Sequence, residues 1–276
     1  MFELLVSVLR FFGGVLEIFD VFHSVKKANA PSGLEKPWSD APLEASYFVE
    51  DVVLIHEDRT LRCDVFSSRF GGVPMGRLDE VWPTYDELDP KTAQRDQFFN
   101  YVREVDDLEL FFIGQINVQD LPFVPEILKD VALISIFVDP HFLSGERCLV
   151  RVYETLEGLV PLSIPQKASG HKPCAMAFEK STDMPLDEEV YPVEMSLEEV
   201  EANQEAHVWA SKIGGYASSI QDDPFELRHP AKPQFCLQLF EIKSLGVGWV
   251  DAGAFYLARG TAPGHTHEWF CDIQFH

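Results

Sequence analysis

Basic charge is scarce in this chain. Lys and Arg number 22 against 45 Asp and Glu, a formal net charge of -23, and a surface of that sign repels a phosphate backbone, which argues against nucleic-acid binding as a function class. Cysteine is sparse as well. Cys63, Cys148, Cys174, Cys236 and Cys271 are widely spaced, odd in number and without a Cys-x-x-Cys pair, so the sequence predicts reduced, buried thiols in a cytoplasmic protein rather than a disulfide framework or zinc ribbon. Catalytic signatures are missing too: there is no P-loop, no GxSxG elbow, no HExxH helix and no dinucleotide fingerprint. The residues therefore predict no cofactor and no enzymatic activity.

Two weaker groupings come closest to a chemical site. His265, His267, Glu268, Cys271 and His276 cluster near the C-terminus, and alternate histidines share a strand face that could meet a metal. No third ligand sits on a rigid predicted element, so a polar turn entering a final strand is the plainer reading and no metal is expected. From Asp183 to Glu205 there are nine carboxylates and no Lys or Arg. Asp187, Glu188, Glu189, Glu198, Glu199 and Glu201 lack the loop glycine of an EF-hand; together with Asp183 they read as a solvated acidic face or as a surface for a basic partner. Glu104, Asp106 and Asp107, at the end of the charged stretch 84–107, are assigned to the same partner-binding surface.

Long apolar runs are confined to the N-terminus. Residues 2–22 are strongly apolar, yet Glu3, Ser7, Arg10, Glu17, Asp20 and Ser24 recur at helical spacing, which predicts an amphipathic helix. Four charges within the stretch and the Gly13-Gly14 pair argue against a membrane span. A packed helix, a membrane-surface helix and an oligomer contact are the readings it leaves; the oligomeric state does not follow. Residues 1–45 are thus an N-terminal helix and linker ahead of a single domain over 46–276.

What the chain does contain is one pattern written twice. SRFGGVP (68–74) precedes the strand-like FFIGQINVQDLP (111–122) and LISIFVD (133–139); SKIGGYA (211–217) precedes FCLQLFEI (235–242) and WVDAGAFYLAR (249–259). Each copy is a Gly-Gly corner, an apolar strand with one glutamine, then a second strand, and a repeated backbone pattern speaks to how a fold is built. Gly71-Gly72 and Gly214-Gly215 are expected to need positive φ or close backbone approach. Gln115 and Gln238, amid apolar residues, are expected to be buried and bonded to loop backbone, with Gln221 of the same kind. Trp82 and Trp249 read as core, and Asp251 with Gly253 as a turn or bulge.

Between these landmarks, alternation predicts strands over 46–55, 61–66 and 148–154 and a final strand in HEWFCDIQF. LPFVPEILKD (121–130) reads as a short Pro-started helix. Residues 158–195, proline-rich and polar, read as the joint between halves of about 46–157 and 196–276. Ser196 with Glu199 forms a capping-box signature for a helix whose exit is Gly214-Gly215.

Taken in order, SRFGGVP with VWP, FFIGQINVQDLP, SKIGGYASSIQ, FCLQLFEI and WVDAGAFYL resemble the YwqG-like family of bacterial proteins, a domain of unknown function, over roughly residues 64–259. The resemblance implies an α+β fold: internally duplicated, mostly antiparallel sheets in two pseudo-symmetric halves with peripheral helices. Ala217 stands where relatives often have proline, which relaxes the second turn. Some relatives resemble immunity proteins of bacterial toxin systems, and a strongly acidic, non-catalytic chain suits neutralisation of a basic toxin domain by complementary charge. That is the leading expectation. A small-ligand protein using a cleft between the halves, or an enzyme of unrecognised type, are the alternatives.

Overall fold

The computed structural model describes residues 49–84, 87, 109–139, 148–165, 171–186, 195–221, 225, 229–249 and 252–276. All lie within one compact unit, Glu44–His276. The strands are β1 (Glu50–Asp58), β2 (Arg69–Phe70), β3 (Met75–Gly76), β4 (Phe111–Asn117), β5 (Leu133–Val138), β6 (Cys148–Tyr153), β7 (Val160–Pro161), β8 (Cys174–Asp183), β9 (Lys212–Gly214), β10 (Pro233–Leu239), β11 (Ala254–Gly260) and β12 (Trp269–Gln274). One α-helix, α1 (Leu197–Glu205), occurs among the described residues. Ten strands form one sheet in the order β12-β11-β10-β9-β1-β8-β2-β4-β5-β6, curled into a nearly closed barrel, and β3 pairs with β7 apart from it.

This overturns the expected α+β fold, because the described residues are mostly β. The segment 121–130 forms only a 3-10 turn at Glu126–Leu128, and the helix begun at Ser196 ends at Glu205, capped by Ala206. The expected N-terminal helix and most of 84–107 fall outside the described residues. Val118, Leu121, Leu128 and Val131 from one connecting loop, and Ile242, Leu245, Val247 and Trp249 from another, join the central core.

Nor do the copies make separate halves. The first strand of each copy lies beside the second strand of the other, β1 on β9 and β8 on β2, and β1 and β8 pair antiparallel along their lengths. The join is the same on both sides: Ile55 N–H donates to the Ser211 carbonyl at 2.9 Å and Met176 N–H to the Ser68 carbonyl at 3.1 Å. Residues 158–195 are therefore no mere joint, since they contain β8, a central strand. The stretch 61–66 is not a returning hairpin strand, because the ladder edges of β1 are already taken by β8 and β9.

Period-two alternation places the core. On β5, Ile134, Ile136 and Val138 point into the barrel with Phe255 and Leu257 of β11 and Ile273 of β12. Phe137 points outward, under Trp82, Leu110 and Phe112. Outside β11, Ala254, Tyr256 and Ala258 are covered by Phe225. Both faces of these strands are buried, which is why they read as near-continuous apolar runs. Each fully buried Leu, Ile or Phe contributes about 1.5–3 kcal/mol, and Phe255→Ala at the centre would cost about 3–5 kcal/mol through the cavity it leaves.

Candidate functional site

The Gly-Gly corners have the predicted geometry. Gly71 and Gly72 adopt φ of 64° and 79°, and Gly214 and Gly215 of 77° and 67°, a left-handed pair that side chains with a Cβ resist. Both pairs follow a strand; the second is not a helix exit, since β9 leads into it.

Behind each corner sits its glutamine. Met75 N–H donates to Gln115 Oε1 at 3.3 Å, and Ser218 N–H to Gln238 Oε1 at 2.8 Å. Gln115 Nε2 donates to the Ser67 carbonyl at 3.2 Å, and Gln238 Nε2 to the Ala210 carbonyl at 2.7 Å. Each glutamine thus spans its corner, from two residues before the basic strand residue to four beyond the first glycine. The bulge is repeated too, between Phe112 and Gly114 in β4 and between Phe235 and Leu237 in β10.

A third repeated element is the basic residue two positions before each corner. Arg69 pairs with Gln115 across the strands, and Lys212 with Gln238. Arg69 Nη1 donates to the Val65 carbonyl at 2.9 Å, and Lys212 Nζ to the Val208 carbonyl at 2.6 Å. From that point the copies diverge. The planar guanidinium, with five donors, also reaches the carbonyls of Asp64, Ser67 and Val73. The compact ammonium takes a carboxylate instead.

That carboxylate is Asp183, at the end of β8, with Lys212 Nζ 2.7 Å from its Oδ2 and both side chains fully buried. Asp183 also accepts from the backbone N–H groups of Met184 (3.0 Å), Val208 (2.8 Å) and Tyr216 (3.0 Å). Its carboxylate thus gathers the strand end, the segment after α1 and the Gly-Gly corner. Burial pulls the Lys212 ammonium below the ordinary lysine range, and the Asp183 carboxylate counters it.

His207 completes the cluster. Its Nδ1 lies 2.6 Å from the Met184 carbonyl, which can only accept, so Nδ1 carries the proton and Nε2 is free to accept from Ser218 Oγ at 2.7 Å. Burial lowers the His207 pKa, and the Lys212 charge lowers it further, against the opposing pull of the Met184 carbonyl and Asp183. Gln238 Nε2 donates to Ser218 Oγ at 2.9 Å, and Tyr256 Oη donates to the Ser218 carbonyl at 2.6 Å. The first copy has Met75 and Ser135 at the register positions of Ser218 and Tyr256, and Ser135 Oγ is buried without a hydrogen-bond partner.

A serine within hydrogen-bond reach of a histidine, with an aspartate 3.4 Å beyond, has the spacing of a nucleophile and its base. Here the serine is fully enclosed, its oxygen already accepts from Gln238, and the histidine donates to a carbonyl rather than to the aspartate. In this arrangement the groups satisfy one another and hold the corner. Of these residues the sequence singled out Gln238, as a buried amide, and Asp183, as part of an acidic surface; Lys212, His207, Ser218 and Tyr256 escaped it. The available signal was the basic residue two positions before the first glycine in both SRFGG and SKIGG.

The remaining sequence-predicted residues are placed as follows. Trp82 donates from Nε1 to the Leu110 carbonyl at 2.9 Å and meets Phe112 and Phe137 edge-on. Trp249 is buried, stacked on Phe255 at 5.3 Å between centroids. Gly253 packs where a Cβ would strike the Trp249 and Gln274 carbonyls. Gln221 is exposed and donates to the Phe275 carbonyl, so it is not a buried structural amide. Asp183 does not belong to an acidic surface, being buried and paired. Glu198, Glu199 and Glu201 are exposed on α1, with Glu199 engaged in the predicted capping box with Ser196. Glu104, Asp106, Asp107, Asp187, Glu188, Glu189 and Asp251 lie outside the described residues.

The C-terminal His and Cys grouping does not converge. His265 Nδ1 bonds Glu268 at 2.7 Å, and Cys271 is joined to Cys148 in a disulfide, which corrects the expectation that all five thiols are reduced. No group of three metal-ligating side chains occurs among the described residues. No helix among them is long and apolar enough to cross a membrane.

A family model described as a domain of unknown function, DUF1963, matches residues 68–258. The chain belongs to the DUF1963 family. The match begins at Ser68, beside the first corner, and ends at Ala258 in β11, so both corners, both spanning glutamines and the Asp183–Lys212 pair lie within the matched span. No curated protein matches the chain significantly.

Proposed function

We propose that this DUF1963 chain is a non-catalytic, YwqG-like protein-binding module that acts as a cytoplasmic immunity protein, neutralising a basic toxin domain in a bacterial cell. What carries the reading is the solvent side of α1. Leu197, Glu198, Glu201 and Glu205 are all exposed there and fall within about 100° of the helix circumference, and Leu197 retains 67% of its surface exposed. Trp209, four residues past the helix end, is 53% exposed. An acidic surface with apolar anchors is suited to a basic partner, charge speeding encounter and the anchors slowing release. The net charge of -23 extends the same attraction over the molecule. By contrast, the two copies share one packed interior, which favours recognition on the outer surface.

The test is growth rescue of cells that express the toxin encoded beside this gene, with association measured on the purified pair. Glu198→Lys, Glu201→Lys and Glu205→Lys together leave Val200 and the Ser196–Glu199 cap intact. They should slow association at low salt about tenfold or more, the difference shrinking as salt rises. No rescue by the wild-type chain, or association at low salt unchanged by the reversal, would refute the reading.

A further inference from the structure

The sheet has two ends. Its hydrogen-bonded ladder stops at β6 on one side and β12 on the other, and the disulfide between Cys148 of β6 and Cys271 of β12 joins those end strands, with Cα atoms 6.6 Å apart. The two residues are 123 apart in sequence, so the link closes a loop that holds the whole of the second copy, with β8–β11, and ties it to β6 of the first. We propose that Cys148 and Cys271 form a reversible redox latch on the seam of the barrel, closed by oxidation and opened by a dithiol reductant.

Position and chemistry agree. Both residues are only partly buried, which leaves the sulfurs reachable by an external thiolate, while their side chains pack against the central core beside Val150, Val152 and Trp269. The latch is thus accessible from outside and coupled to what lies inside. The other thiols are poor internal competitors. Cys236 is fully buried in the core, its thiol pushed up to about 12 by that burial, Cys174 is also buried, and burial raises the Cys63 thiol. A protonated thiol is a weak attacker of a disulfide, so scrambling within the chain is slow and exchange falls to an outside reagent.

The step is ordinary thiol–disulfide exchange. A thiolate of the dithiol attacks one sulfur of the Cys148–Cys271 bond, forming a mixed disulfide and releasing the other cysteine as a thiolate, which takes a proton. The second thiol of the reductant then displaces the first cysteine. Two electrons pass to the protein, the reductant becomes a disulfide, and both cysteines end as thiols. Oxidation by a disulfide such as oxidised glutathione runs the sequence backward. Opening releases the covalent tie between the end strands, and closing restores it.

The experiment uses the full chain and dithiothreitol. Before reduction, thiol titration in denaturant should find three reactive cysteines, Cys63, Cys174 and Cys236, and after reduction all five. Reduction should lower the melting temperature by about 10 °C, the order expected for opening a loop of roughly 100 residues in a protein of this size. Backbone hydrogen exchange should quicken in β6 and β12 more than in β4 and β10. Oxidised glutathione should reverse each change. Cys148→Ser with Cys271→Ser should melt at the reduced wild-type temperature and ignore dithiothreitol. Five reactive thiols before reduction would overturn the latch. So would an equal effect of dithiothreitol on the double variant, or exchange that quickens uniformly or not at all.

Discussion

Replacing either partner of the buried Lys212–Asp183 pair should be costly, and replacing both should cost much less than the sum. In Asp183→Asn, the amide keeps one acceptor for the Met184 and Val208 N–H groups but offers an NH2 toward Lys212 Nζ and the Tyr216 N–H, donors that were 2.7 and 3.0 Å from Oδ2. The ammonium is then fully buried with only the Val208 carbonyl to receive it, and breaking a buried pair on one side costs about 3–5 kcal/mol. Lys212→Met leaves the carboxylate with three backbone donors, which stabilise the charge, so its cost should lie nearer the low end, about 2–3 kcal/mol. In the double variant neither a lone ammonium nor a lone carboxylate remains. The coupling energy should therefore reach about 1.5–3 kcal/mol, the upper part of the range for contacting groups. Urea unfolding at pH 7 measures all four corners of the cycle, provided the m-values agree. Additivity within about 0.5 kcal/mol would refute the reasoning, for it would mean that the two charges do not depend on each other for burial.

Three further outcomes follow from the same corner. Gly215→Ala places a Cβ 2.5 Å from Asp183 Oδ2 at a φ of 67°, whereas Gly246→Ala has the same φ with nothing within 4 Å; the second should lose about 1 kcal/mol from backbone strain alone and the first clearly more, as read by denaturant midpoints, equal losses counting against the close approach. Because burial lowers the His207 pKa, the unfolded chain binds a proton near pH 6.5 that the native state refuses. Its contribution to stability is therefore present above about pH 6.5 and is lost as pH falls through the lower folded value; His207→Gln should flatten the profile between about pH 7 and 5, and an unchanged slope would contradict the sign. Gln238→Leu should cost more than an exposed substitution such as Gln221→Leu, by about 2–3 kcal/mol, since it leaves the buried Ser218 N–H and the Ala210 carbonyl without their partner; similar unfolding midpoints for the two variants would show that the amide does not hold the corner.

The glycines and glutamines were legible because their demands are local. Two adjacent glycines before an apolar strand signal positive φ whatever surrounds them, and a single amide in an apolar run must be paired wherever it is buried. The basic residue of each corner was visible in SRFGG and SKIGG, but its partner was not: Asp183 is 29 positions from Lys212 and reads as one acid in an acidic stretch. Only its position at the end of β8, on a strand that the sequence reading left as a joint, turns a surface charge into a buried one. The cysteines failed for the same reason. Spacing along the chain says nothing of two residues brought together by the curl of a sheet.

The sequence by itself determined the repeated corner, the strands that follow it, the capping box of α1 and the strongly acidic character, because turn geometry, side-chain alternation and charge are properties of short stretches. The tertiary structure decided how the copies combine. Exchange of β1 and β8 between them makes one barrel instead of two halves, since that arrangement gives every central strand two antiparallel neighbours and both copies a common apolar interior. It also decided which charges are surface and which are bonds, and which thiols meet, because burial and proximity across a curled sheet depend on all the strands at once.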